Sequence, residues 1–204
     1  MKQGSVTTID LLRHGAPEGG IRYRGSRDDP LSELGWQQMH AAVGEHHPWD
    51  IVISSPLRRC AAFAEVLCER YKLALEIEPG FREISFGAWE GRTPAEIEAL
   101  SPEALHRFWI EPMNYPPPEG ESLQDFAIRV TAVWQTALER HCGRHILAIT
   151  HGGVIRMVLC HVLEIPLRHF WRLEVPYATF SRVRIHGDQD EQQSFLVFHG
   201  KGSE

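Results

Sequence analysis

Six short apolar runs rich in β-branched residues alternate with amphipathic segments, and this alternation limits the fold more than any other feature of the chain. The runs are Val6 to Leu12, Ile51 to Ser54, Leu75 to Ile77, Ile146 to Thr150, Phe180 to Ile185 and Phe195 to Phe198. Their length and side-chain type read as strands. Helical periodicity covers about Ser32 to Glu45, Leu57 to Tyr71, Thr93 to Leu100, Pro102 to Trp109, Ser122 to Arg140 and Val154 to Leu163. Strands separated by helices predict an α/β fold. The expected architecture is a three-layer sandwich with a mainly parallel central sheet and helices on both faces.

Local chemistry marks where elements begin and end. Thr93-Pro94-Ala95-Glu96 supplies an N-cap, a proline at the first helical position and a glutamate three residues after the cap. Ser122 before Leu123-Gln124-Asp125 is a second expected cap. The tract Pro112 to Gly120 has four prolines among nine residues, too many missing donors for a helix or an inner strand. It reads as a stiff connector closing an insertion of about residues 92–121, a short helical cap on a single domain spanning residues 1–204.

Charge narrows the partners. With 21 Lys+Arg against 27 Asp+Glu, a net charge of −6, the chain lacks the basic surface that nucleic acid requires. Residues 76–125 carry eleven acidic residues against Arg82, Arg92 and Arg107. Any anion site must therefore draw on local arginines. No apolar stretch approaches the roughly 18 residues of a membrane span, and no apolar leader follows Met1. The expectation is a cytoplasmic chain with neither nucleic acid nor membrane as partner. Cys60, Cys68, Cys142 and Cys160 lack zinc spacing and read as buried reduced thiols.

Twelve histidines divide by context. His40, His46, His47, His106, His141, His145, His161 and His169 lie in or beside helical segments and read as surface or packing residues. Four others follow apolar runs and precede glycine: His14, His151, His186 and His199. His186 and His199 have no helix after them and read as ordinary strand ends. In a parallel sheet the carboxyl ends of strands share one edge, where ligands bind, so His14 and His151 are expected to converge there. Gly152-Gly153 would open a helix whose amides attract anions. Arg13 and Arg59, also just past strands, bring two positive charges to the same edge. Such an edge suits a phosphoryl group, since arginine can fork its oxygens and a neutral imidazole can attack phosphorus.

Leu11-Leu12-Arg13-His14-Gly15, Ser55-Pro56-Leu57-Arg58-Arg59, Phe81-Arg82-Glu83-Ile84-Ser85-Phe86-Gly87-Ala88-Trp89-Glu90-Gly91, Gly120-Glu121-Ser122 and Thr150-His151-Gly152-Gly153, in this order, resemble the histidine phosphatase (phosphoglycerate mutase-like) superfamily. The segment Tyr23 to Gly35 is most similar to the branch of α-ribazole phosphatases of cobalamin biosynthesis. The resemblance implies catalytic roles for His14, Glu83 and His151: His14 as nucleophile, Glu83 as general acid. It implies phosphate binding by Arg13, Arg59, His151 and Gly152, and substrate binding by Arg24 and Gly25. Family spacing selects Arg59 over Arg58, which reads as a helix-surface residue. No metal and no cofactor is expected, because neither clustered carboxylates nor a His-x-x-x-His motif is present.

Two departures weaken a mutase reading: Ala16 stands where family members carry Glu or Gln, and Gly20 where mutases hold Asn. Arg22 or Arg24 would then supply the missing contact. Phe108, Trp109, Met113 and Tyr115 either line the cap side of the pocket or pack the cap. The expected function is a metal-independent phosphomonoesterase acting on a small metabolite through phosphohistidine, with α-ribazole 5′-phosphate the first candidate. A phosphoglycerate mutase-like enzyme, a broad sugar or nucleotide phosphatase, and a non-enzymatic phospholigand-binding module are the alternatives. A homodimer is one assembly open to it.

Overall fold

The computed structural model describes residues 5–45, 47–187 and 192–202; His46 and residues 1–4 lie outside them. Strands form where the apolar runs lie: β1 (Val6–Arg13), β2 (Ile51–Ser54), β3 (Ala74–Ile77), β4 (His145–Thr150), β5 (Phe180–His186) and β6 (Gln193–Lys201). They make one sheet in the order β3-β2-β4-β1-β5-β6. The first four are mutually parallel, whereas β5 runs antiparallel to β1 and β6 antiparallel to β5.

Helices α1 (Glu33–Val43), α2 (Arg58–Tyr71), α3 (Pro94–Leu100), α4 (Pro102–Ile110), α5 (Leu123–Arg140) and α6 (Gly152–Val162) fall in the predicted segments. Ser32, Thr93 and Ser122 cap α1, α3 and α5 through side-chain oxygens, and Thr93 with Glu96 closes the reciprocal capping box. Helix α6 begins two residues before the predicted Val154, because extended backbone at His151 puts that residue at the N-cap. Gly152 and Gly153 thus occupy its first turn.

Period-two alternation decides the layers. Ile146 and Ala148 of β4, with Ile9 and Leu11 of β1, join the core built with α5 and α6. Leu147 and Ile149, with Leu12 and Val52, face the opposite way and pack on α1 and α2. A sheet apolar on both faces needs helices on both, giving the three-layer sandwich.

At the sheet centre, Asp10 of β1 is 1% exposed. It accepts hydrogen bonds from Trp49 Nε1 at 2.7 Å, Arg182 Nε at 2.6 Å and His145 Nε2 at 2.9 Å. Burial alone would raise its pKa, but the bonds from Arg182, His145 and Trp49 prevail and hold the carboxyl below its usual range. The thiol expectation needs one correction. Cys60, Cys68 and Cys160 are buried and all four cysteines are free, but Cys142 is exposed, since it lies in the turn after α5.

Candidate active site

Sheet register brings the two histidines together. Arg13 of β1 pairs with Thr150 of β4, so the next residues, His14 and His151, emerge side by side. The His14 N–H donates to Thr150 O at 2.9 Å, extending the ladder by one step. The imidazole centroids lie 5.1 Å apart.

Hydrogen bonding fixes both tautomers. His14 Nδ1 lies 2.7 Å from the carbonyl oxygen of Gly15, which can only accept, so Nδ1 carries the proton and Nε2 keeps its lone pair. For His151 the order reverses. Arg59 Nε lies 3.3 Å from His151 Nδ1, and a guanidinium can only donate. Nε2 therefore carries the proton and donates to Ser55 Oγ at 2.7 Å. Both rings are buried. Burial, then Arg59, pushes each pKa well below 6.5, with Arg13 adding to both and His14 itself to His151. Each imidazole is neutral at pH 7.

Arg59, from the first turn of α2, is fully buried. Its Nη1 donates to Arg27 O at 2.6 Å and its Nη2 to Gly25 O at 2.9 Å. Arg13 donates through Nη1 to Val175 O, and its guanidinium carbon sits 3.9 Å from the ring centroid of Tyr177. Its Nε is buried with no hydrogen-bond partner among the described residues, a donor that an oxyanion would satisfy. Glu83 reaches the N-terminus of α6: Gly153 N donates to Oε2, and Ile84 N to Oε1, both at 3.0 Å. A Cβ at Gly153 would lie 2.1 Å from Glu83 Oε1, so only glycine permits this approach.

A cavity of about 130 Å³ opens over this edge, lined by Arg13, His14, Pro17, Arg22, Tyr23, Arg24, Glu83, Phe86, Gly152, Arg156 and Tyr177. Of the predicted residues, Arg13, His14, Arg24, Glu83 and Gly152 reach its wall. Arg59 and His151 lie behind it, joined to each other. Arg24 donates through Nε to Asp29 Oδ2 at 2.7 Å and through Nη1 to Gly20 O at 2.6 Å. Gly25 stays off the wall. Its N–H faces the Glu90 carboxylate, its carbonyl takes Arg59, and a Cβ there would lie 1.9 Å from Ile84 O. Its backbone is spent on holding Arg59 in place. Arg58 is exposed.

The cap aromatics do not reach this wall. Phe108 packs edge-on against Trp89 at 5.2 Å, while Trp109 and Tyr115 are 46% and 37% exposed. Arg156 and Tyr177 were missed by reading the sequence. Arg156 had one signal, since it follows Gly152 by one helical turn and so shares its face. Tyr177 had none, because β5 alone brings its loop beside β1.

Comparison with known proteins bears on this arrangement. The family model for the histidine phosphatase superfamily (branch 1) matches residues 9–196. A bifunctional protein of Mycobacterium tuberculosis is 33% identical over 191 residues, 91% of this chain. The chain spans about half of that protein, 52% of its length. Glucosyl-3-phosphoglycerate phosphatase of the same organism is 34% identical over 173 residues, covering 78% of this chain and 77% of the relative. The native mycobacterial structure of that name superposes with a TM-score of 0.85 at 29% identity, over 97% of this chain and all of the other. An adenosylcobalamin/alpha-ribazole phosphatase of Salmonella typhimurium is 27% identical over 180 residues, 86% of this chain and 89% of the relative. With a family model matched from β1 into β6, this chain belongs to the histidine phosphatase superfamily, branch 1.

Proposed function

We propose that this chain is a phosphomonoesterase that works by double displacement through a phosphohistidine at His14. One observation carries the reading: His14 keeps an unprotonated Nε2 at the mouth of an arginine-lined cavity, with Nδ1–H tied to Gly15 O. In the first step the Nε2 lone pair forms a bond to phosphorus and the ester P–O bond breaks. Glu83, protonated, gives its proton to the departing alkoxide. In the second step water attacks the phosphohistidine, Glu83 takes the water proton and the P–N bond breaks to release orthophosphate. Arg13 meets the phosphoryl oxygens directly. His151 packs its neutral ring edge-on against His14, and Arg59, held on His151, adds positive potential from behind. Gly152 N–H, at the start of α6, faces the same charge.

In this reading residues 1–204 make one catalytic domain, and residues 92–121 are a cap whose aromatic core backs the Tyr23 and Phe86 wall. The substrate is a small soluble phosphomonoester. The Salmonella relative favours α-ribazole 5′-phosphate, and the mycobacterial relative favours a phosphorylated glyceric-acid derivative. The test measures phosphate release, with chelator present, on α-ribazole 5′-phosphate, 3-phosphoglycerate, nucleotide monophosphates and an activated aryl phosphate. Wild-type turnover with an acid-labile, alkali-stable phosphoenzyme that His14→Ala abolishes is expected. Turnover retained by His14→Ala would overturn the mechanism.

A further inference from the structure

Arg24, Arg129 and Arg182 are each held by a carboxylate: Asp29, Glu121 and Asp10 in turn. Arg13 is held differently. It makes no ion pair among the described residues, and Val175 O takes one of its donors through Nη1. Tyr177 covers one face of the guanidinium, with the ring centroid 3.9 Å from Cζ. The Nε–H stays buried and unpartnered among the described residues. A carboxylate would occupy the in-plane donors and cancel the charge, and a phosphoryl dianion needs both. An aromatic face attracts the cation from above its plane and leaves those donors open.

The loop carrying Tyr177 is built onto the Arg13-His14 pair. Arg13 N donates to Thr179 O at 3.2 Å, and Ala178 N donates to Arg13 O at 3.1 Å and His14 O at 3.3 Å. Thr179 Oγ1 donates to Pro176 O at 2.8 Å, tying the turn to itself. Ala178 adopts a φ of +51°, a left-handed conformation that a residue with a Cβ keeps only where surrounding contacts enforce it. Val175 and Ala178 are buried on either side of Tyr177, whose ring lines the cavity with its centroid 5.6 Å from that of His14. Burial lowers the Arg13 pKa, Tyr177 and Glu83 oppose that, and Arg59 adds to it. Once Glu83 carries the proton for the leaving alkoxide, its charge is gone. The Tyr177 ring and Val175 O then remain to hold Arg13.

We infer that Tyr177 is a positioning residue for phosphoryl transfer: its ring face holds the Arg13 guanidinium while leaving Nε–H and the neighbouring in-plane donors open to the phosphoryl oxygens. This inference rests on the phosphomonoesterase reading above. Tyr177 acts through Arg13, so its effect should vanish when Arg13 is absent.

The experiment is a double-mutant cycle read in kcat/KM for p-nitrophenyl phosphate. Tyr177→Leu should lower it by about 3- to 30-fold, the range of one cation–π contact. Tyr177→Phe, which keeps the ring, should recover most of that loss. In an Arg13→Gln background, Tyr177→Leu should cause no further loss. Tyr177→pentafluorophenylalanine keeps the shape of Phe but removes the negative ring face, and should fall as far as Tyr177→Leu. Equal losses with and without Arg13 overturn the inference, since they mark a packing role or a direct substrate contact. A Tyr177→Phe loss as large as that of Tyr177→Leu also overturns it, by assigning the effect to the hydroxyl. A wild type that does not hydrolyse p-nitrophenyl phosphate overturns the phosphomonoesterase reading and this one together. Should Tyr177→Leu fail to fold or the Arg13 variant be too slow to follow, the fluorinated ring decides by itself: activity equal to that of Tyr177→Phe overturns the inference.

Discussion

Acidification tests the electrostatic core of the site, because His14 and His151 are both buried with pKa values held well below 6.5. In the unfolded chain each imidazole titrates near 6.5. As pH falls from 7 to 5 the two unfolded imidazoles together gain about 1.5 protons that the folded state does not accept. Linkage makes stability fall wherever the unfolded state binds more protons. With neither folded imidazole taking up a proton over this range, integrating from pH 7 to 5 gives a loss of about 2 kcal/mol per imidazole, about 4 kcal/mol for the pair. The loss begins near pH 6.5 and continues down to the folded pKa values. The assay is urea unfolding followed by tryptophan fluorescence at pH 7, 6 and 5. His14→Gln should lower the pH-dependent loss to about 2 kcal/mol whatever it does to stability at pH 7. A wild-type loss below about 1 kcal/mol would show that the folded state takes up the protons. The neutral imidazole nucleophile would then fall with it.

Four further outcomes follow from the site and the core. Glu83→Gln should slow alkyl phosphates by about 10²- to 10⁴-fold and aryl phosphates with good leaving groups by less than about tenfold, because only poor leaving groups need the proton. Gly153→Ala should reproduce that pattern, since its Cβ would occupy the space of Glu83 Oε1; equal losses on both ester types would make Glu83 structural. Asp10→Ala should cost about 3–5 kcal/mol in urea unfolding by stranding Arg182 beside a buried void, and a loss under about 1 kcal/mol would show that the cluster is dispensable. Activity should be unchanged after prolonged dialysis against chelator, because the arginines supply the positive charge and the neutral His14 imidazole the nucleophile that the two steps need, and a chelator-dependent loss restored by a divalent cation would refute that.

What the sequence determined by itself is local. The strand and helix segments follow from periodicity and β-branched content, and the caps at Thr93 and Ser122 from side chains within three residues of the amides they satisfy. The edge carrying His14, Arg13, Arg59 and His151 was legible because each residue ends or follows a strand, and parallel strands end on the same side. Tertiary structure decided everything that depends on contacts between distant residues. Arg59 meets His151 across 92 positions and Glu83 meets Gly153 across 70. Contacts of this kind set the His151 tautomer, placed Arg59 and His151 behind the cavity wall, spent the Gly25 backbone on support and brought Arg156 and Tyr177 to the site. The sign of a periodic pattern survives in a linear string, but burial and tautomer do not. They arise from which groups lose water together, and that is fixed only when the sheet closes and α6 docks on it.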